Sequence, residues 1–385
     1  MRADPYPYYR LLREEAPVHW SPQSGCWIVS CYDDGVRLLG DPRVCHWAVS
    51  DEPRSGPDYF PQMLARWLTS MDPRTGARLR KLTTPVFLRP SLDTLGDRIR
   101  DLADRILDEA KARGALDVVE DLAGPIALAT MANVMGVPDE RAPEFKRLAN
   151  GVVSHLVLAV EAVRRPRDRE QASELVDFLR SLLDEARPGP PTTLVGAMRE
   201  MRREDDTVDE DELVAFLLLF LFAGQENMMN FIGNAIHAIV RAPDQLDLLR
   251  NAPALVPGAV DELLRFDSPV QFMMLKLSGD LAIRGATIPR GQAVLLGIGS
   301  ANRDEARFVD PDRLDVTRSP NPHLSFGHGA LKCVGAALAR LEAGAAIGAL
   351  ARRTRRPVIL GRPRLRASPP VLRGFESLIL ALGDD

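Results

Sequence analysis

The chain has 385 residues, of which 45% are apolar and 26% charged, an ordinary globular composition that excludes a disordered chain. Its 49 basic and 53 acidic residues leave a net charge of −4, so no basic excess points to nucleic acid. Four cysteines are too few for a disulfide framework at this length, and nothing beside Cys26, Cys31 or Cys45 completes a zinc site.

The opening MRADPYPYYRLLREE lacks the apolar core of a secretory signal. The most apolar run, Leu213 to Ala223, falls short of the ~20 residues that span a bilayer. A cytoplasmic protein with no membrane association is expected. Length alone suggests two or three domains at about 150 residues each. The nearest thing to a linker is the short Arg187 to Pro191 loop, so residues 1–385 are read as one domain.

In chain order, a short helix over Pro7 to Glu15 precedes a strand-like piece over Cys26 to Cys31. Turn signals at Gln23 to Gly25 and Asp33 to Gly35 flank that piece. From Arg78 to Val240 helical periodicity dominates, with Leu95, Ile99, Leu102, Ile106 and Leu107 forming one stripe. The stretches Leu122 to Met135 and Ala172 to Glu185 repeat the pattern. The longest predicted helix covers Val208 to Val240, opening on a capping box from Thr207 to Glu210 and ending before Pro243. It should be about 45–50 Å long and, being apolar all round from Val214 to Phe222, buried. Short strands follow at Leu281 to Ile283, Ala286 to Ile288 and Val294 to Leu296. A helix then runs from beyond Cys333 through Ala351, and a hairpin around Arg373 and Gly374 closes the chain over Val371 to Leu382. The fold class is mainly α with minor β.

Chemistry concentrates around Cys333. A glycine-rich loop precedes it and a helix follows, so free backbone N–H groups and the positive helix end can stabilise a thiolate. Gly327 and Gly329 permit tight turns, and Gly335 keeps a side chain away. A sulfur so placed can ligate haem iron. Taken alone, a free cysteine is more often a small buried hydrophobe.

The segment Phe326 to Arg340 resembles the haem-binding signature of the cytochrome P450 superfamily, a Phe-Gly-x-Gly loop leading to the axial cysteine and a helix. Glu262-Leu-Leu-Arg265 resembles that family's Glu-x-x-Arg pair, and Asp310 to Arg313 the loop whose arginine completes its ion network. Ala223 to Glu226 resembles the oxygen-activating kink of the long central helix, and DPYPYYRLLREEAPVHW is typical of bacterial members. The resemblance implies a single triangular domain with a long central helix and small β-sheets. It implies haem b with Cys333 as iron ligand, Phe326, Gly327, Gly329 and Gly335 shaping the cradle, and Arg80 on a propionate. Glu226 and Asn227 take the catalytic positions, and Glu262, Arg265 and Arg313 form the structural network. Phe222, Ala223, Phe272, Met273 and Met274 line the substrate pocket, with Met228 and Met229 nearby. The implied activity is that of a monooxygenase or oxidase acting on a medium-sized apolar secondary metabolite. Ferredoxin and ferredoxin reductase supply electrons, and Arg78, Lys81 and Lys332 are candidates to face the ferredoxin.

The chain departs from that pattern at four positions. Gly76, Leu275 and Leu331 stand where the family usually places basic partners for the haem propionates. Lys276, Lys332 and His328 are the candidate substitutes, although Lys276 lies one strand step away, on the opposite face. Asn227 replaces the threonine whose hydroxyl helps deliver protons, and an amide is no proton relay at neutral pH. These departures keep two other readings open: a redox-neutral cyclisation or rearrangement on the same fold, and a haem-poor, non-enzymatic helper of a biosynthetic enzyme.

Overall fold

Glu210–Val240 forms one α-helix of 31 residues, and the other elements are arranged around it. The structure, a computed structural model, describes residues 4–46, 83, 86–87, 89–156, 166–185, 192–204, 209–366 and 371–383. The long helix starts two residues later than the sequence suggests. Its N-cap is Asp209, whose side chain accepts from the Asp211 N–H at 3.0 Å; Thr207 lies outside the described residues. Three acidic residues in the first turn, Glu210, Asp211 and Glu212, suit the positive end of the helix dipole.

Around it pack Gly124–Met135, Pro166–Glu185, Val256–Phe266 and Ala336–Arg353. Helix Arg89–Arg113 lies along Ala336–Arg353. Of its sequence stripe, Leu95, Ile99 and Leu107 are buried, and Leu102 and Ile106 pack at the edge. Val118–Met135 and Glu210–Val240 are long and apolar enough to cross a membrane, yet 72% and 61% of their apolar windows are buried inside the protein. They are core helices.

One five-stranded sheet holds β1 (Val18–Ser21), β2 (Cys26–Val29), β3 (Val44–His46), β5 (Phe272–Leu277) and β8 (Ala293–Gly297), in the order β1-β2-β8-β5-β3. The β2–β8 pair is parallel, with Ile28 opposite Leu295, and the long helical stretch between these strands makes that connection possible. A three-stranded sheet orders β4 (Ala115–Asp117), β12 (Ile379–Ala381) and β9 (Val358–Ile359). Two ribbons pair β6 (Leu281–Ile283) with β7 (Ala286–Ile288), and β10 (Arg364–Leu365) with β11 (Phe375–Ser377).

Two local expectations are corrected. Asp33, Asp34 and Gly35 form no turn: they sit in helix Tyr32–Gly40, with both acids in its first turn, where the dipole favours them. Val371 to Leu382 is no hairpin either. β11 pairs with β10 and β12 with β4 and β9, so the closing strands serve two sheets and Gly374 is not a hairpin tip.

Candidate active site

The Cys333 loop is held by its own backbone. Gly327 N–H donates to Leu324 O at 2.8 Å, Leu331 N–H to His328 O at 3.1 Å, and Cys333 N–H to Phe326 O at 2.7 Å. Gly327 and Gly329 both have positive φ, +70° and +57°, where side chains are strained. A Cβ on Gly327 would also fall 2.5 Å from Leu331 O. This crossing of the chain over itself presents Cys333 as an exposed residue, with Val334 and Ala337 exposed beside it. Helix Ala336–Arg353 begins directly after Gly335.

Neighbouring protein pushes the Cys333 thiol pKa above its usual range, while the Gly335 N–H and the Arg340 guanidinium pull it down. A pKa raised in this way leaves the thiol carrying its proton near neutral pH. Metal coordination removes such a proton outright.

Beneath the loop, Phe326 is gripped from two sides. The Arg340 guanidinium carbon lies 4.6 Å from its ring centre, and the His323 ring lies 5.6 Å away. Arg340 donates to Asp261 Oδ1 at 2.8 Å, and His323 Nε2 stands 3.2 Å from the same oxygen. Asp261 escaped notice in the sequence because its partners lie 62 and 79 residues away.

The next residue, Glu262, begins a network whose Glu262–Arg265 pair is fully buried. Arg265 donates Nε to Glu262 Oε2 at 2.7 Å and Nη2 to Oε1 at 2.8 Å. It also donates to the carbonyls of Asn302, Pro311 and Arg313. The arginine that completes the ion network is Arg318, whose Nε reaches Glu262 Oε2 at 3.1 Å. Arg313 contributes its backbone carbonyl, and its residue is exposed. Asn321 and the Asp315 N–H fill the remaining Glu262 sites. Asn302 carries the network to the loop, accepting from Leu324 N–H at 2.7 Å and donating to Ser325 Oγ at 2.8 Å.

The long helix continues through Ala223 to Asn227. In the middle of this largely buried helix Ala223 is exposed, and Leu219, Phe222 and Asn227 are half-buried. Leu219, Ala223 and Asn227 are four apart and share one face, so that face borders open space. Gly224 lets the neighbouring helix close in: a Cβ there would lie 2.3 Å from Met131 Sδ. Glu226 is 1% exposed, and among the described residues neither of its carboxylate oxygens has a hydrogen-bond partner. Burial raises its pKa to about 7, opposed by the charge of Arg366.

Strand alternation divides the other pocket candidates. Phe272 and Met274 share one face of β5, and Met274 is exposed. Met273 packs instead into the apolar core beneath the sheet, the core that also holds Leu275. Met228 is buried and Met229 packs at the edge of the main core. Arg80, Gly76, Arg78 and Lys81 lie outside the described residues. Lys332 and His328 are exposed on the Cys333 loop.

The residues present fit a haem. The loop geometry needs two glycines, offers a lone thiol with an N–H beside it, and carries a small apolar rim at Val334 and Ala337. Comparison with known proteins agrees. Residues 66–355 match the cytochrome P450 family model. The chain is 35% identical over 389 aligned positions to cytochrome P450 107B1 of Saccharopolyspora erythraea, covering 97% of this chain and 91% of that protein. It is 32% identical to the 6-deoxyerythronolide B hydroxylase of the same organism, covering 90% and 88%. The crystal structure of P450BioI in complex with an acyl carrier protein bearing hexadec-9Z-enoic acid superposes with TM-score 0.86 at 30% identity, covering 99% of each chain. Sequence, loop geometry and these relatives agree: the chain belongs to the cytochrome P450 superfamily.

Proposed function

We propose that the chain, working as one domain over residues 1–385, is a cytoplasmic haem-thiolate monooxygenase of secondary metabolism. It inserts oxygen into a medium-sized apolar metabolite, using haem b and electrons passed from ferredoxin reductase through ferredoxin. The observation that carries this reading is the Cys333 thiol, displayed at the rim of a self-locked glycine loop and braced through Phe326 and Asp261. Relatives named as hydroxylases, including the Saccharopolyspora enzyme, support oxygen insertion.

Once bound, the haem supplies the iron at which dioxygen is reduced. The chain's own residues do the rest. Cys333 provides the sulfur ligand, and the Gly335 N–H and Arg340 favour its anionic form. Arg80 would hold a propionate, and Lys332 would stand in for the absent bases at 76, 275 and 331. Glu226 holds a proton at its carboxyl with a pKa of about 7, the range in which a group both takes and gives protons at neutral pH. Asn227 orients groups through its amide but passes no proton. Ala223 leaves room on the open helix face, and Phe222, Phe272 and Met274 offer apolar walls for substrate. Lys332 marks the face to which an acidic ferredoxin docks.

The test is the visible spectrum of haem-supplied protein, before and after reduction under carbon monoxide. A thiolate-type Soret band is expected, and it should vanish in Cys333→Ala. Protein that takes up no haem would instead favour the helper reading. Product formed without oxygen or reductant would replace oxygen insertion by a redox-neutral rearrangement.

A further inference from the structure

We propose that a file of water runs along one face of the long helix, from a surface cavity near its C-terminal end, past Asn234 and Asn230, to Glu226. Protons reach the active site by this route. The inference rests on the reading of Glu226 as a proton-exchanging group.

Glu226, Asn230 and Asn234 are four residues apart and so form one line on the helix, with neighbouring Cβ atoms about 5–6 Å apart. They are 1%, 0% and 0% exposed. Among the described residues, Glu226 Oε1 and Oε2, Asn230 Oδ1 and Nδ2, and Asn234 Oδ1 have no protein partner. Across the seam the Nε of Arg366, the charge felt by Glu226, is also unpaired. Buried polar atoms seldom go unsatisfied, and ordered water is their usual partner where protein supplies none. Here the orphans lie along one line of the helix rather than at scattered points.

The seam is also built at the backbone. Gly374 lies directly against Asn230, and a Cβ there would fall 2.0 Å from Asn230 Oδ1. At the far end, Asn234 Nδ2 donates to Arg373 O at 3.0 Å and Asp267 O at 3.4 Å. Arg373 and Asp267 line a cavity of about 510 Å³, together with Tyr6, His237 and Arg303. Polar contacts tie that mouth together: Arg373 pairs with Asp267 at 2.9 Å, and Tyr6 donates to Asp267 at 2.6 Å. His237 is kept neutral by burial, with Asp267, Arg241 and Arg373 as its charged neighbours. In the transfer, hydronium at the mouth releases a proton, O–H bonds re-form along the waters, and the Glu226 carboxylate becomes the acid. One O–H bond forms for each that breaks, and nothing is oxidised or reduced.

The experiment follows the Glu226 carboxyl band by infrared after rapid mixing of holoprotein into heavy water at about pH 6; the band is assigned by its loss in Glu226→Gln. The wild-type band should shift within the mixing time. In Asn230→Leu the shift should slow by roughly tenfold or more, and in Asn230→Ser, which keeps a polar group and room for water, it should stay fast. Equal rates in all three proteins overturn the file, as does a Glu226 with no carboxyl band. The carbon monoxide spectrum of each protein is read separately. Slowed exchange in protein lacking a thiolate band would spare the file and sink the haem reading. A high-resolution crystal structure of the unaltered protein is the second measurement. Waters bonded to Asn230 and Glu226 are expected, and a dry seam overturns the proposal whether or not the leucine variant folds.

Discussion

Arg265 meets Glu262 through two parallel hydrogen bonds of 2.7 and 2.8 Å, and neither side chain is exposed to solvent. The remaining Arg265 donors are taken by three backbone carbonyls from a stretch some 40 residues downstream. A buried pair this fully satisfied is costly to break, because removing one partner strands the other charge. Arg265→Leu should therefore lose about 3–5 kcal/mol in denaturant unfolding. A loss below about 1 kcal/mol would place the pair among surface ion pairs instead.

The third member of the network separates two neighbouring arginines. Arg318 touches Glu262 with its side chain, whereas Arg313 offers only a carbonyl that any residue carries. Arg318→Ala should cost about 1.5–3 kcal/mol, the range for a hydrogen bond to a charged group. Arg313→Ala should stay within about 0.5 kcal/mol, as for ordinary surface changes. The opposite ranking in parallel melts would restore Arg313 to the role its sequence context suggests.

Glu226 makes stability depend on pH in a set direction. Its folded pKa, about 7, lies above the ordinary 4.5. Below 4.5 the carboxyl is protonated in both folded and unfolded chains and has no effect on stability. Between 4.5 and about 7 only the unfolded chain ionises, so stability falls as pH rises, and above that range the loss is complete. At 1.36 kcal/mol per pKa unit the full effect is about 3 kcal/mol. Glu226→Gln should be more stable than wild type by roughly that amount above pH 7, with the gap closing towards pH 4.5. Melting temperatures of the two proteins across pH decide it, and a gap that does not change with pH would refute it.

Gly327 combines a positive φ with a backbone oxygen 2.5 Å from where a Cβ would go. Gly327→Ala should distort the Cys333 loop at a cost of about 1–3 kcal/mol. Haem occupancy after reconstitution should drop before global unfolding is detectable, because the strain is local to the ligand loop.

Asn227→Thr places a hydroxyl next to Glu226. If proton delivery limits turnover, product formed per electron consumed should rise, by up to roughly 10²-fold. Coupling measured with a surrogate ferredoxin pair checks this, and an unchanged ratio would show that the amide is not the bottleneck.

Much of this protein was readable because its signals are local. The loop around Cys333, the Glu262–Arg265 pair and the long helix each depend on residues within a few turns of one another. Glycine conformation, i,i+3 spacing and apolar periodicity therefore report them directly. The structure departs from the sequence expectation where local chemistry has two outcomes. Asp33 to Gly35 can end a strand or start a helix, and the helix dipole settled it. Gly374 can tip a hairpin or make room for a side chain, and Asn230 settled that.

The amino-acid order by itself determined the cysteine loop, the i,i+3 placing of Glu262 and Arg265 and the central helix, since each is encoded within a short span of chain. Only the tertiary structure decided that Arg318 rather than Arg313 reaches Glu262, and that Asp261 braces Phe326 through Arg340 and His323. It alone showed that, among the described residues, the Glu226 carboxylate, the Asn230 amide and Asn234 Oδ1 are buried without protein partners. The reason is physical. Charge pairing and burial depend on which distant segments fold back against a site, and spacing along the chain carries no record of that.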